Sequence, residues 1–163
     1  MDLTKVAVMA WSLGGYYAPR IASFEHRFAA LITYGARYDA GKSWRERYAA
    51  GGQKMALSSY AMLVHGVKTM EEAVEKFQKF NLEGVLQGVT CDALIVFGED
   101  DPQQKLEEAQ RICKEMVNAK SVTFRFFTKE EGACGHVCQD NLTLGNSYSA
   151  DWLMDKFGMT PKV

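Results

Sequence analysis

A serine stands where a short apolar run meets a pair of glycines. Residues Val6 to Gly15 read Val-Ala-Val-Met-Ala-Trp-Ser-Leu-Gly-Gly, which predicts a strand, a turn at Ser12 and then a helix. A tight strand-to-helix turn projects a serine hydroxyl clear of the sheet and requires small residues two positions away on either side. Ala10 and Gly14 meet that requirement. The spacing predicts a nucleophilic serine, with the Leu13 N–H as an oxyanion donor; the alternative is an ordinary turn with an incidental serine.

A serine nucleophile needs a histidine base and an acid that orients it. The chain has three histidines. His26 is predicted in a solvated loop, and His65 lies in a helical segment, where a packing or surface role is usual. His136 lies in a Gly-containing loop between a β-rich run and a closing helix at about 142–157. We therefore expect His136 to be the base.

The acid is expected after a strand that precedes the histidine. Asp101 follows the predicted strand Ala93 to Phe97 and is our candidate. Its neighbour Asp100 is expected to point elsewhere, and Asp39 occupies the other loop from which an acid could come. Taken alone, the Asp-Asp-Pro turn would be read as a solvated loop or a helix cap.

Three stretches in this order resemble a known superfamily: Trp11 to Arg20, Phe97 to Asp101, and Glu130 to Asn141. Together they resemble the carboxyl-terminal portion of an α/β-hydrolase, in the group of the dihydropseudooxynicotine hydrolases and the fungal polyketide-shortening hydrolases. The resemblance extends over nearly the whole chain. It implies a triad of the serine, aspartate and histidine named above, which hydrolyses a carbon–carbon bond beside a ketone, or an ester, without a cofactor.

The fold follows from alternating patterns along the chain. Strands are predicted near Lys5 to Met9, Ala29 to Tyr34, Ala93 to Phe97 and Val122 to Phe127, with helical stretches between them. This alternation predicts one α/β domain with a mostly parallel sheet of about four strands and flanking helices. The resemblance implies that the domain is a partial α/β-hydrolase fold. The segment at about 41–88 is helix-patterned and rich in Met, Tyr, Phe and Trp, which predicts a helical lid insertion.

Large side chains near the serine or in this lid could contact a substrate. The candidates are Trp11, Trp44, Tyr48, Met55, Tyr60 and Met62. Adaptable Met side chains suit a roomy apolar pocket. Core packing is the commoner role of such residues and is the alternative.

A complete hydrolase of this type has several strands before its nucleophile, whereas Ser12 stands near the first residue. We expect the usual amino-terminal strands to be missing, and with them the second oxyanion donor and the cover of one sheet edge. Such an edge predicts pairing with a second copy or a complementary chain that supplies strands. The alternative to an independent enzyme is therefore a non-catalytic or partner-dependent fragment, active only in an assembly.

Composition is that of an ordinary soluble domain, with 47% hydrophobic and 24% charged residues and a net charge of −1. This near-neutral charge predicts no nucleic-acid partner, and the absence of a long apolar run or a signal segment predicts a cytoplasmic, non-membrane protein acting on a small molecule. Four cysteines are expected to be free thiols: Cys91, Cys113, Cys134 and Cys138. The Cys-x-His-x-Cys run lacks the separated ligand pairs of a structural zinc site, so no metal is expected.

Overall fold

Four parallel strands in the order β1-β2-β3-β4 form the sheet of the computed structural model, which describes residues 2–51 and 58–159. The strands are β1 (Ala7–Trp11), β2 (Ala30–Tyr34), β3 (Asp92–Gly98) and β4 (Ser121–Phe127). The helices are α1 (Gly14–Phe24), α2 (Ala40–Gly51), α3 (Ser58–His65), α4 (Met70–Phe77), α5 (Leu106–Glu115) and α6 (Leu142–Lys156). The predicted α/β fold with a parallel sheet and flanking helices is confirmed.

The sheet is most deeply buried at its centre. Every residue of β2 and β3 is buried, as expected for parallel strands that are covered on both faces. β1 pairs with β2 alone among the described residues, and its residues are half-buried except for the exposed Trp11. The core beneath α6 includes Ile32, Leu94 and Trp152.

The chain divides into two compact units. The larger comprises Met1–Tyr38 with Leu82–Val163 and holds the whole sheet, and the smaller comprises Asp39–Asn81 and holds α2, α3 and α4. The smaller unit overlaps the segment at about 41–88 that the sequence predicts as a helical lid insertion, and it ends at residue 81. Residues after 81 belong to the larger unit because their short turn packs on α1: a Cβ atom on Gly88 would lie 2.3 Å from the Ser23 carbonyl oxygen.

The smaller unit has its own aromatic core. Thr69 begins α4 with a capping box, in which its hydroxyl accepts the Glu72 N–H and the Glu72 carboxylate accepts the Thr69 N–H. Phe77 at the other end of α4 is buried and stacks on Trp44 of α2 at a ring distance of 4.4 Å. No helix within residues 2–51 and 58–159 combines the length and apolar character needed to cross a bilayer.

Candidate active site

Ser12 occupies the tight turn between β1 and α1. Its φ is 57°, in the left-handed region that residues other than glycine rarely adopt, and its N–H donates to the Tyr34 carbonyl at 2.9 Å. The small neighbours are required by close packing: a Cβ atom on Gly14 would lie 2.7 Å from the Ala10 Cβ. One on Gly15 would lie 2.3 Å from a main-chain carbonyl oxygen at the end of β2. The turn therefore has the geometry that the sequence predicts.

His136 lies in a loop whose backbone is hydrogen-bonded to Asp140 of the same loop. The Asp140 carboxylate accepts the N–H groups of Cys134 at 2.9 Å and Gly135 at 2.8 Å, so the chain is fixed immediately before the histidine. Val137 follows the histidine with a φ of 51°. The Cys134 carbonyl also accepts the Asp100 N–H at 2.9 Å, which ties this loop to the loop that carries the predicted acid.

Asp101 lies three residues beyond the end of β3, with its side chain only 1% exposed. Its Oδ2 lies 2.8 Å from His136 Nδ1, and its Oδ1 lies 3.0 Å from the same nitrogen. On the other side of the ring, His136 Nε2 lies 2.9 Å from Ser12 Oγ. Three side chains from three loops thus form one continuous hydrogen-bonded chain at the carboxyl edge of the sheet.

This arrangement can activate a hydroxyl. A carboxylate on Nδ1 favours the tautomer in which Nε2 accepts a proton, and it stabilises the imidazolium that then forms. Leu13 immediately precedes α1, so its N–H lies at the positive end of that helix. Among the described residues, this N–H donates to no backbone acceptor. It can therefore donate to a developing oxyanion.

The other acids and histidines of the sequence analysis have different partners. Asp100 forms an ion pair with Lys129 at 2.6 Å, and Asp39 accepts the Lys42 N–H at 2.7 Å. His26 is exposed, with Nδ1 3.4 Å from the Thr90 hydroxyl.

His65 ends α3 in the smaller unit and contacts the rings of Phe77 and Phe80 edge-on, at 4.3 and 5.7 Å. Burial, and secondarily the charge of Lys76, lower the pKa of His65 below its usual value. This histidine therefore has the packing environment expected of a helical position.

The residues predicted to contact a substrate differ in their exposure and in the part of the structure where they lie. Trp11 precedes Ser12, is 45% exposed and stacks on Tyr34 at 5.8 Å. Trp44, Tyr48 and Met62 pack against the core of the smaller unit, whereas Tyr60 is 62% exposed. Met55 lies outside the described residues.

Two features of the site escaped the sequence analysis. The sequence analysis gives Asp140 no role of its own within the stretch Glu130 to Asn141. Its position four residues after His136 in a Gly-containing loop could have indicated that its carboxylate binds the backbone of that loop. The close approach of the acid and histidine loops was also missed: a Cβ atom on Gly98 would lie 2.2 Å from the Cys134 carbonyl oxygen. Only glycine allows that contact.

The four cysteines form no disulfides. Cys91, Cys113, Cys134 and Cys138 are all free. Burial, the largest influence, raises the pKa of Cys138 to about 12, so its sulfur is a neutral thiol at ordinary pH. Within the part of the chain that the structure describes, no group of three or more His, Cys, Asp or Glu side chains is arranged to hold a metal ion.

Solved structures of known proteins resemble this chain. The crystal structure of a 2,6-dihydroxy-pseudo-oxynicotine hydrolase matches 99% of this chain with a TM-score of 0.74 and 26% identity. The α/β-hydrolase GrgF from Penicillium sp. sh18 matches 97% with a TM-score of 0.67 and 16% identity. The chain has part of the α/β-hydrolase fold. Its predicted resemblance to α/β-hydrolases is thereby confirmed.

A curated protein is also similar to the chain. Hydrolase acrC of Aspergillus aculeatus is 28% identical to it over a match that covers 66% of it. No protein-family model matches the chain. The chain spans 32% of the length of acrC and 43% of the length of the pseudo-oxynicotine hydrolase, so these similar proteins are more than twice as long.

Proposed function

We propose that this α/β-hydrolase chain is a serine hydrolase that cleaves a carbon–carbon bond beside a ketone, or an ester, in a small molecule. The observation that carries the proposal is the hydrogen-bonded chain from Ser12 Oγ through His136 to Asp101, with separations of 2.9 and 2.8 Å. The strained turn at Ser12 and the similarity to named hydrolases support it. No cofactor is needed for this chemistry.

The proposed reaction has two halves. Ser12 Oγ attacks the carbonyl carbon while its proton passes to His136 Nε2, and Leu13 N–H stabilises the oxyanion. The intermediate collapses to an acyl-serine when His136 returns the proton to the leaving alkoxide or carbanion. Water then attacks the acyl group with His136 again as base, which releases a carboxylic acid and restores the serine.

The first test is covalent labelling of the purified chain with a fluorophosphonate, followed by intact mass. We expect rapid single labelling that Ser12→Ala and His136→Ala abolish. Asp101→Asn should slow labelling by about a thousandfold, because the imidazole loses the partner that fixes its tautomer. Asp100→Asn is the matched control, since that neighbouring carboxylate pairs with Lys129 and should leave the rate within about twofold. A folded wild-type chain that stays unlabelled contradicts independent catalysis.

A second candidate function follows from the sheet edge. Among the described residues β1 pairs on one side only, and α1 exposes an apolar stripe of Tyr17, Ile21 and Phe24. Under this alternative, the chain is a partner-dependent hydrolase that works only when another polypeptide covers this face and supplies a second oxyanion donor. Loss of one such donor raises a barrier by about 3 kcal/mol, so the unassembled chain would keep weak activity. If that polypeptide is a second copy of this chain, the labelling rate would increase with protein concentration.

A further inference from the structure

The loop around His136 has an unfavourable backbone conformation at three residues. The φ angles of Ala133, Val137 and Cys138 are 58°, 51° and 60°, in the left-handed region that residues with a side chain rarely adopt. This region is least favourable for a β-branched residue such as Val137. Such a conformation persists only where surrounding contacts maintain it. Since His136 lies between these residues, its position depends on the contacts that hold the loop.

Asp140 supplies contacts of this kind through both oxygens of its carboxylate. Its Oδ1 accepts the Gly135 N–H at 2.8 Å, and its Oδ2 accepts the Cys134 N–H at 2.9 Å and the Cys134 thiol at 3.6 Å. Asp140 is an exposed residue, yet its carboxylate binds the backbone that leads to His136. Desolvation raises the pKa of Asp140, but the backbone N–H donors outweigh it and hold this pKa below its usual value. The group is therefore a carboxylate at neutral pH.

The same backbone also contacts the loop after β3. The carbonyl oxygen of Cys134, whose N–H is held by the carboxylate, accepts the Asp100 N–H at 2.9 Å. A Cβ atom on Gly98 would lie 2.2 Å from this carbonyl oxygen, which leaves no room for a side chain between the two loops. A shift at Cys134 would therefore change the distance between His136 and Asp101.

We propose that Asp140 is a positioning residue that fixes the His136 imidazole against Asp101. The inference rests on the proposed function and adds to it a side chain that acts through the backbone and not on the reacting atoms. Without the carboxylate, the loop should relax toward ordinary backbone angles and lengthen the 2.8 Å contact between Asp101 Oδ2 and His136 Nδ1. A misplaced base slows the reaction even when the reagent binds as before.

The rate of fluorophosphonate labelling at several reagent concentrations tests this role, because it separates the maximal rate from the half-saturating concentration. Asp140→Ala removes both acceptors, whereas Asp140→Asn keeps one oxygen and so one of the two backbone bonds. We expect the maximal rate to fall about thirtyfold in Asp140→Ala and about fivefold in Asp140→Asn, with the half-saturating concentration within about twofold of wild type. Equal losses in the two variants would assign the effect to charge and overturn the inference.

Asn141→Ala is the matched control for stability. The Asn141 side-chain oxygen accepts the Leu144 N–H at 3.1 Å and caps α6, so its removal should lower the melting temperature without moving His136. We expect Asn141→Ala to be labelled within about twofold of the wild-type rate. A loss as large as that in Asp140→Ala would mean that general destabilisation slows labelling, and it would overturn the positioning role.

An NMR measurement separates this inference from the proposed function. In a chain with nitrogen-15-labelled histidine, under mildly alkaline conditions, the ring-nitrogen shifts report the tautomer of each imidazole, and His136→Gln assigns the signals. We expect His136 to adopt only the Nδ1–H tautomer in wild type and a mixture of the two in Asp140→Ala, because Asp101 then no longer fixes the ring. This result supports the positioning role even if fluorophosphonate labels nothing and the serine hydrolase proposal fails. A mixture already present in wild type, or a tautomer unchanged in Asp140→Ala, overturns the role even where labelling supports the hydrolase.

Discussion

Ser12 holds a backbone conformation that ordinarily favours glycine. Its φ of 57° brings a side-chain Cβ close to the backbone, which costs about 1–2 kcal/mol in an L-residue other than glycine. The surrounding turn maintains this conformation: its N–H is bonded to β2, and its carbonyl accepts the Gly15 N–H at 2.8 Å. The turn therefore places the Ser12 hydroxyl at a cost in the free energy of unfolding.

The strain can be measured with two substitutions at this position. Ser12→Ala and Ser12→Gly both remove the hydroxyl and should both abolish fluorophosphonate labelling. Only glycine relieves the backbone, so we expect Ser12→Gly to exceed Ser12→Ala in free energy of unfolding by about 1 kcal/mol. Urea denaturation of the two variants checks the difference. Equal stability, or a more stable Ala variant, would mean that the turn carries no such strain.

The site illustrates what can be predicted residue by residue. Ser12, Asp101 and His136 stand in local patterns that already indicate strand ends and loops, and the structure brings them together across 124 and 35 residues of sequence. The close approach of the loops that carry Asp101 and His136 has no such pattern. It depends on how two loops fold against each other, which no local spacing encodes.

The ends of a strand differ from those predicted when they are determined by hydrogen bonding to the neighbouring strand. The first strand was predicted near Lys5 to Met9 but runs from Ala7 to Trp11. The apolar residues of this strand begin at Val6. The observed strand extends to Trp11 because Trp11 pairs with Tyr34 of β2. Hydrophobicity predicts that a strand exists, while the partner strand determines where it ends.

The smaller helical unit is expected to lose stability in mild acid. His65 has a lowered pKa in the folded chain, so the unfolded chain binds more protons between that lowered value and about 6.5. Stability is therefore intact above the unfolded value and falls as the pH drops through this interval. The physical cause is burial, which disfavours the charged imidazolium, and secondarily the positive charge of Lys76.

Urea unfolding at pH 7.5 and pH 5.5 checks this expectation. His65→Phe keeps an aromatic ring in the cluster and removes the titration, so it should reduce the loss of stability between the two pH values. His26→Gln is the control, because it removes an exposed imidazole that lies outside the aromatic cluster of the smaller unit. A pH dependence unchanged by His65→Phe would assign the effect to other groups.

At the scale of the whole molecule, β1 forms one edge of the sheet among the described residues. Ser12 N–H donates to Tyr34 and the Val6 carbonyl accepts from Ala29, so the even-numbered residues of this strand face β2. Because parallel pairing alternates, the backbone groups of Ala7 point to the other side, where no described strand pairs with them. An edge with unpaired backbone groups is a template for another strand.

We predict that a second copy of the chain binds this face. In sedimentation velocity the average mass should rise with concentration, driven by the open edge and by the exposed α1 side chains. Ala7→Pro removes an outward N–H at the first residue of the strand, where proline is tolerated, and Ile21→Lys charges the α1 stripe. Each should weaken self-association at least tenfold, whereas Val117→Lys, at a residue that is 69% exposed after α5, should leave it unchanged.

The labelling rate of Ser12, measured on the same samples, tests whether self-association affects reactivity. If labelling of Ser12 accelerates over the concentrations at which the mass rises, and Ala7→Pro abolishes both effects, the copy on this edge completes the site. A chain that stays monomeric but labels rapidly would refute the partner-dependent alternative, because the Leu13 N–H and the three side chains then suffice. A monomer that labels slowly and gains nothing from concentration would exclude a second copy as the partner and direct the search to a complementary chain.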